Sequence, residues 1–266
     1  MKRLDHGGAE RVVDTVAAEE PLEIRLTYWV KEAQHSQNLA VTMRTPGHDR
    51  ELAAGLLVSE GIVRERSEIA SLRGLGIEPS NEVAAELSRD VDFESWRVER
   101  SGFVSSSCGV CGKRSREAIT SQLPDRGKDD FRVDASLIQQ LPALLRERQA
   151  GFAQTGGLHA AALANARGEL EAVFEDIGRH NALDKLIGHA LLCGGLPLRE
   201  GILFLSSRSS FELVQKTAMA GAPVLATVGG PSSLAIESAR DCGITLLGFV
   251  REQRFNIYAG EWRINS

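Results

Sequence analysis

Two cysteine residues three positions apart, Cys108 and Cys111, are the part of this sequence best suited to do chemistry. They lie in residues 105–113, a segment rich in serine and glycine that buries little apolar surface and leaves the backbone free to move. Lys113, Arg114 and Arg116 lie two to five residues beyond Cys111, and nearby positive charge lowers the pKa of a thiol. The segment therefore predicts a loop that presents a nucleophilic thiolate.

Such a pair suits a zinc site, a redox dithiol or a sulfur carrier. Structural zinc needs two further ligands, usually a second close pair, whereas Cys193 and Cys242 each stand alone. Thioredoxin-like chemistry places the motif at a helix start after the first strand, whereas this pair lies in mid-chain. Sulfur transfer requires a thiolate that accepts sulfane sulfur and an accessible arm that delivers it. We favour sulfur transfer, keep redox cycling second and expect no tightly bound metal.

The composition limits the function classes. The chain has 266 residues, 42% of them hydrophobic, which suffices for two modest domains with their own cores. A formal net charge of -5 argues against nucleic acid as a partner. No apolar run is long enough to cross a membrane, and the amino terminus lacks the apolar segment of a secretory signal. With four cysteines and no disulfide framework, we expect a cytoplasmic protein.

The first half is predicted to consist of a disordered arm, residues 1–20, and an α/β domain, residues 21–133, that carries the cysteine loop. The polar arm has no period. After it, apolar and polar residues alternate, as is typical of half-buried strands, and a leucine-rich helix ends at Gly61. The predicted elements are strands over 22–30, 39–43 and 82–87, a helix over 51–60, and a short helix over 112–123.

The second half, residues 134–266, is predicted to be a domain with a mixed sheet covered by helices. A hairpin with the turn Asn165–Gly168 precedes alternating strands and helices, and right-handed crossovers make such strands parallel. The fold class is thus α/β (α+β). The predicted elements are a helix from 134 that bends or restarts at Pro142, strands over 158–164, 170–174, 202–205, 224–228 and 244–250, and helices over 181–193, 210–220 and 232–241.

Three loops follow strand ends, where ligands bind in such sheets: residues 176–181, 206–210 and 227–233. Glycine, serine and arginine at helix starts suit a phosphate or pyrophosphate. Helix capping alone explains any single loop, but three loops at one sheet edge favour anion binding. No Walker or strand-linked GxGxxG pattern is present. The residues expected to contact the anion are Arg179, His180, Ser207, Arg208, Gly229, Gly230 and, more weakly, Lys216.

Two histidines need separate interpretation. His159 opens the predicted hairpin, and we expect it to be a core or edge residue. Zinc deaminases combine H-x-E with a later P-C-x-x-C, but no glutamate stands two positions after His159 and the cysteine pair precedes it. Deamination chemistry is therefore disfavoured. His180 lies at a predicted helix start beside Arg179, which makes it the better candidate for contact with a ligand.

Several motifs in order resemble the formate dehydrogenase accessory sulfurtransferases, the FdhD family. The resemblance spans roughly residues 21–264, and no single motif carries it alone. The matching segments are 45–49 with 51–55, 108–112, 155–161, 175–182, 206–216 and 255–258.

The resemblance implies a sulfurtransferase that takes sulfur from a cysteine desulfurase as a persulfide. It would pass this sulfur to the molybdenum (or tungsten) bis(molybdopterin guanine dinucleotide) cofactor that formate dehydrogenase requires. The resemblance also implies that Cys108 carries the persulfide with help from Cys111, that the C-terminal domain is cytidine-deaminase-like, and that the protein is a homodimer. The implied cofactor-binding segment is Phe255, Asn256, Ile257, Tyr258, Ala259 and Gly260. The alternative is a non-catalytic chaperone that only binds this cofactor, with a structural CxxC.

Overall fold

The computed structural model describes residues 1–5, 8–75, 80–91, 93, 123–124 and 129–265. Cys108, Cys111 and the helix predicted over 112–123 lie outside the described residues apart from Leu123. Within the described ranges, no helix combines the length and the apolar character needed to cross a membrane.

The amino-terminal residues form a small hairpin. Strand β1 (Lys2–Asp5) pairs antiparallel with β2 (Gly8–Arg11), and residues 12–19 then run without regular structure to the next strand. The prediction of a disordered arm over 1–20 is therefore wrong for these two strands. Their residues show no apolar alternation, and those of β2 are all exposed, so periodicity offered no signal.

A four-stranded sheet follows, with the strand order β4-β3-β6-β5. The predicted alternation is confirmed: Leu22, Ile24 and Leu26 on β3 have no exposed surface, because one face of the sheet packs in the core with the first helix. β3 runs antiparallel to β4 and parallel to β6. The elements are β3 (Glu20–Val30), β4 (Ala33–Arg44), α1 (Asp49–Ser59), β5 (Ile69–Gly74) and β6 (Glu82–Leu87).

A six-stranded mixed sheet, in the order β13-β12-β11-β10-β8-β9, forms the second half. β10, β11 and β12 are parallel, and the other pairings are antiparallel, which confirms the predicted mixed sheet. The deaminase-like description stays a prediction. The six strands are β8 (His159–Ala164), β9 (Leu170–Asp176), β10 (Ile202–Leu205), β11 (Val224–Thr227), β12 (Thr245–Arg251) and β13 (Arg254–Ala259). Two short strands, β7 (Val133–Asp134) and β14 (Ile264–Asn265), form a separate parallel pair.

Helices cover both faces of this sheet, as the sequence predicted. On β10, Leu203 and Leu205 belong to the core that also contains the N-terminal sheet, whereas Ile202 and Phe204 pack on the opposite side with α2. Pro142 lies inside α2, which continues to Arg148 without a restart. The helices are α2 (Ala135–Arg148), α3 (Ala150–Thr155), α4 (Arg179–Leu192), α5 (Phe211–Met219) and α6 (Ser233–Asp241).

The two halves meet where α1 crosses α4. An added Cβ on Gly55 would lie 1.8 Å from the carbonyl oxygen of Asp184, and one on Gly188 would lie 1.8 Å from that of Glu51. The helix backbones therefore touch, and one continuous apolar core extends across both sheets. At the expected boundary, Val133 pairs with Ile264 and packs in the core beneath α2. The division into two domains stays a prediction.

Candidate functional site

A cavity of about 320 Å³ opens at the carboxyl ends of β10 and β11. This is the edge at which the sequence predicted anion binding. Three arginines from three different loops or strand ends contribute to its wall, so the fold brings together positive charges that are distant in sequence. The principal lining residues are Arg179, Arg208, Arg251, His159, Ser207 and Gly229.

Arg208 is held in the cavity wall by contacts between the loops that follow β10 and β11. The backbone N–H of Gly229 donates to the carbonyl of Ser207 over 2.9 Å. A Cβ on Gly229 would lie 2.6 Å from Cγ of Arg208, so only glycine allows this approach. Ser206 ties the same loop to β8, because its Oγ accepts a 2.9 Å hydrogen bond from the N–H of Ala160. The two predicted loops are therefore in direct contact.

Arg179 is the first residue of α4, and a buried carboxylate orders the turn before it. Asp176 Oδ1 accepts hydrogen bonds from the backbone N–H of Gly178 (2.8 Å) and the side-chain amide of Asn181 (3.1 Å). Its other oxygen lies 2.7 Å from Nζ of Lys185 and accepts from the backbone N–H of Thr45. The N-terminal half thus supports the turn that positions Arg179.

His159 lines the cavity, although the sequence predicted a core or edge residue. Partial burial lowers its pKa, and the nearby guanidinium of Arg179 lowers it further, while Asp176 opposes the change. The imidazole is therefore neutral near pH 7, and the positive charge of the cavity comes from the arginines. A neutral imidazole offers one hydrogen-bond donor and one acceptor to a ligand.

His180 lies beside the cavity but does not line it. Burial, followed by the charges of Lys216 and Arg179, lowers its pKa to about 4. Its Nε2 is buried and has no hydrogen-bond partner in the described part of the chain. The imidazole is therefore neutral at pH 7, and the predicted contact of His180 with a ligand stays a prediction.

Lys216 does not reach the cavity. Its Nζ lies 2.8 Å from both carboxylate oxygens of Asp184, which also accepts a 2.7 Å hydrogen bond from Oγ of Ser59. Lys216 and Asp184 are both buried. The ammonium group therefore joins α5 to α4 and, through Ser59, to α1, whereas the sequence predicted a weak phosphate contact.

The segment Phe255–Gly260 forms the edge strand β13 and the residue after it, which the sequence did not predict as a strand. Phe255 packs against the core beneath α2, and Tyr258 packs against the core on the other face. A Cβ on Gly248 would lie 2.9 Å from Cε2 of Tyr258 and 3.3 Å from the carbonyl oxygen of Gly229. Tyr258 therefore neighbours the Gly229 loop across β12. Ligand contacts stay predictions for the residues of this segment and for one loop glycine: Phe255, Asn256, Ile257, Tyr258, Ala259, Gly260 and Gly230.

Arg251 was missed by the sequence analysis. It ends β12, and its Nη1 donates to the carbonyls of Val228 (2.7 Å) and Val250 (2.8 Å), which fixes the guanidinium at the cavity mouth. Its position at the end of the last parallel strand was the feature of the sequence that could have identified it as a cavity residue.

A second cavity of about 580 Å³ shares Arg251 and His159 with the first and extends under α2 and α3. No residue of these helices was predicted to bind a ligand.

A family model described as the FdhD/NarQ family matches residues 17–265. The chain belongs to the FdhD/NarQ family. The family resemblance predicted from the motifs is thereby confirmed.

Two relatives in this family are named sulfur carrier protein FdhD. The one from Corynebacterium efficiens is 49% identical over 263 residues, which cover 93% of this chain and 90% of the relative. The one from Streptomyces avermitilis is 46% identical over 270 residues, with 98% and 93% coverage. The fold resembles that of a Desulfotalea psychrophila protein described as a formate dehydrogenase accessory protein, with a TM-score of 0.78. The two sequences are 24% identical, and the match covers 100% of this chain and 97% of the other.

Proposed function

We propose that this FdhD/NarQ-family protein is a sulfur carrier in formate dehydrogenase maturation. It accepts sulfur from a cysteine desulfurase as a persulfide on Cys108 and passes it to the molybdenum (or tungsten) bis(molybdopterin guanine dinucleotide) cofactor. Family membership and the names of relatives up to 49% identical support the sulfur-carrier role. The proposal further includes a cytoplasmic homodimer in which Cys111 assists Cys108.

The observation that carries the cofactor part of the proposal is the arginine-lined cavity at the strand ends. In the described part of the chain, none of Arg179, Arg208 and Arg251 forms a salt bridge with a carboxylate. Their charge is therefore available to an anionic ligand. Guanidinium groups form strong, charge-assisted hydrogen bonds with phosphate oxygens. A pyrophosphate of a guanine dinucleotide suits this arrangement in both charge and size.

The loading step proceeds without any outside oxidant or reductant. The Cys108 thiolate attacks the outer sulfur of the desulfurase persulfide, an S–S bond forms on Cys108, and the donor S–S bond breaks. The donor cysteine leaves as a thiolate, so the sulfane sulfur moves at constant oxidation level. The basic residues after Cys111 favour the thiolate form that this step needs.

Intact-mass measurement after incubation with a desulfurase and cysteine tests the carrier role. The wild-type protein should gain the mass of one sulfur atom, and Cys108→Ala should abolish the gain. Cys193→Ser is the matched control because Cys193 is a free, exposed thiol elsewhere on the surface. Full sulfur loading of Cys108→Ala would refute the role of Cys108. Absence of any adduct on the wild type would favour the alternative, a non-catalytic cofactor chaperone.

Calorimetric titration with GDP tests the cavity separately. Arg208→Ala removes one charge-assisted hydrogen-bonding group, a loss of about 1.5–3 kcal/mol, or roughly 10–150-fold in Kd. Arg73→Ala is the control, because Arg73 is exposed on β5 in the other sheet. Equal GDP affinity for wild type and Arg208→Ala would contradict the assignment of this cavity to the phosphates.

A further inference from the structure

Residues 45–49 match one of the family motifs, and the proposed function gives them no task. They form the turn between β4 and α1. Arg44, the last residue of β4, is only 1% exposed, and its guanidinium donates to both carboxylate oxygens of Asp49 over 2.9 and 2.8 Å. A two-pronged pair of this kind is strong and fixed in geometry. It closes the turn, so Thr45 between the two residues is held in place.

Thr45 uses three polar groups to hold the second half of the chain. Its backbone N–H donates to Oδ2 of Asp176 over 3.1 Å, and its carbonyl accepts from Nζ of Lys185 over 2.9 Å. Its hydroxyl oxygen accepts a 3.1 Å hydrogen bond from the backbone N–H of Ile177. The first two bonds use the backbone of Thr45, so the third is the one that depends on its side chain.

The turn that Thr45 holds leads directly into the arginine-lined cavity. Ile177 precedes Gly178, the cap of α4, and Arg179 follows as the first residue of the helix and lines the cavity. No carboxylate pairs with the guanidinium of Arg179 in the described part of the chain. The position of Arg179 therefore depends on the backbone that carries it, and Thr45 holds this backbone two residues earlier.

We propose that Thr45 is a positioning residue for anion binding: its hydroxyl holds the peptide N–H of Ile177 and thereby sets the place of Arg179 in the cavity wall. The inference rests on the proposed function, because the anion is the phosphate group of that proposal. Without the hydroxyl, the turn is free to leave its position, and only the molecules with the turn in place bind the anion at full strength. One neutral hydrogen bond changes such an equilibrium by up to about tenfold.

Calorimetric titrations with inorganic pyrophosphate and with GDP test this role. Thr45→Val removes the hydroxyl and keeps the branched shape of the side chain, and we expect about three- to tenfold weaker binding of both ligands. Thr45→Ser keeps the hydroxyl and should restore the affinity. Equal affinity of the wild type and Thr45→Val for pyrophosphate overturns the inference.

Ser59→Ala is the matched control for a general loosening of the contact between the two halves. The hydroxyl of Ser59 donates a buried 2.7 Å hydrogen bond to Asp184 on α4, and neither residue lines the cavity. Urea unfolding should show that Ser59→Ala and Thr45→Val are both destabilised, whereas only Thr45→Val should bind pyrophosphate more weakly. A similar loss of affinity in Ser59→Ala counts against the inference, because any weakening of this contact would then have the same effect.

A double-mutant cycle with Arg179→Ala shows whether Thr45 acts through this arginine. If it does, Thr45→Val weakens pyrophosphate binding in the wild-type background and has no further effect once residue 179 is alanine. Equal effects in the two backgrounds overturn the inference. Failure of the wild type to bind pyrophosphate and GDP contradicts the proposed function and this inference with it, whereas an unchanged affinity of Thr45→Val contradicts the inference alone.

Discussion

Replacement of Gly55 by alanine should destabilise the protein, because α1 and α4 touch through their backbones at this residue. The new Cβ would lie 1.8 Å from the carbonyl oxygen of Asp184 and 2.8 Å from its Cα. Contacts under 3.0 Å essentially never occur for a real Cβ. Both partners are backbone atoms, so no side chain can rotate to relieve the clash. The helices must therefore separate by roughly 1 Å.

The size of the effect follows from three contributions. Overpacking of this kind costs about 1–3 kcal/mol, and alanine in place of glycine inside a helix returns roughly 1 kcal/mol. Separation of the helices also stretches the buried 2.7 Å hydrogen bond from Ser59 to Asp184, and an unsatisfied buried polar group costs about 1–3 kcal/mol. We therefore expect Gly55→Ala to lower the free energy of unfolding by about 1–5 kcal/mol, with about 3 kcal/mol as the central value.

Urea unfolding, followed by far-UV circular dichroism, measures this change. Gly195→Ala is the matched control, because a Cβ there would meet only the carbonyl oxygen of Ala190 at 3.4 Å and Gly195 has no left-handed backbone angle. The control should change the free energy of unfolding by less than about 0.5 kcal/mol. A Gly55→Ala protein as stable as the wild type would refute the direct contact between the two helices.

Two further stability effects follow from buried ionisable groups. Lys216→Met leaves the buried carboxylate of Asp184 without its cation, and urea unfolding should show a loss of about 3–5 kcal/mol, whereas a loss under 1 kcal/mol would contradict the ion pair. His180 has a pKa of about 4 in the folded protein and of 6.5 when free. Protonation of this histidine therefore favours the unfolded chain. The neutral imidazole contributes its full stability above pH 6.5, and this contribution is lost as the pH falls towards 4. Between pH 7 and pH 5 the wild type should lose about 2 kcal/mol more than His180→Gln; equal losses would contradict the lowered pKa.

The C-terminal sheet was predictable because its buried strands are short apolar runs separated by helices. Ile202–Leu205 was predicted with the observed bounds, and the helix after it, Phe211–Met219, lies within one residue of the prediction at each end. Strands buried on both faces must be apolar throughout. The edge strand β13 was missed, because Arg254–Ala259 has exposed and half-buried residues in an irregular order and a register shift in its pairing with β12.

The ligand-binding side of the fold was predictable in outline and not in detail. Loops at the ends of parallel strands converge for topological reasons, so Arg179 and Arg208 were predicted correctly to share one cavity. Lys216 was not placed correctly, because its partner, Asp184, lies on another helix, and no pattern within either helix reveals the pairing.

Two sets of positive charges in the described part of the chain have different tasks. Arg44, Lys185 and Lys216 are buried and paired with carboxylates, so they hold elements together and contribute little field outside the protein. Arg179 and Arg208 line an open cavity without carboxylate partners in the described chain. Cavity walls of low dielectric constant focus the electric field of these arginines into the cavity. The electrostatic potential that a ligand meets there is therefore positive, although the net charge of the chain is -5. This separation explains how an acidic protein can present an anion site.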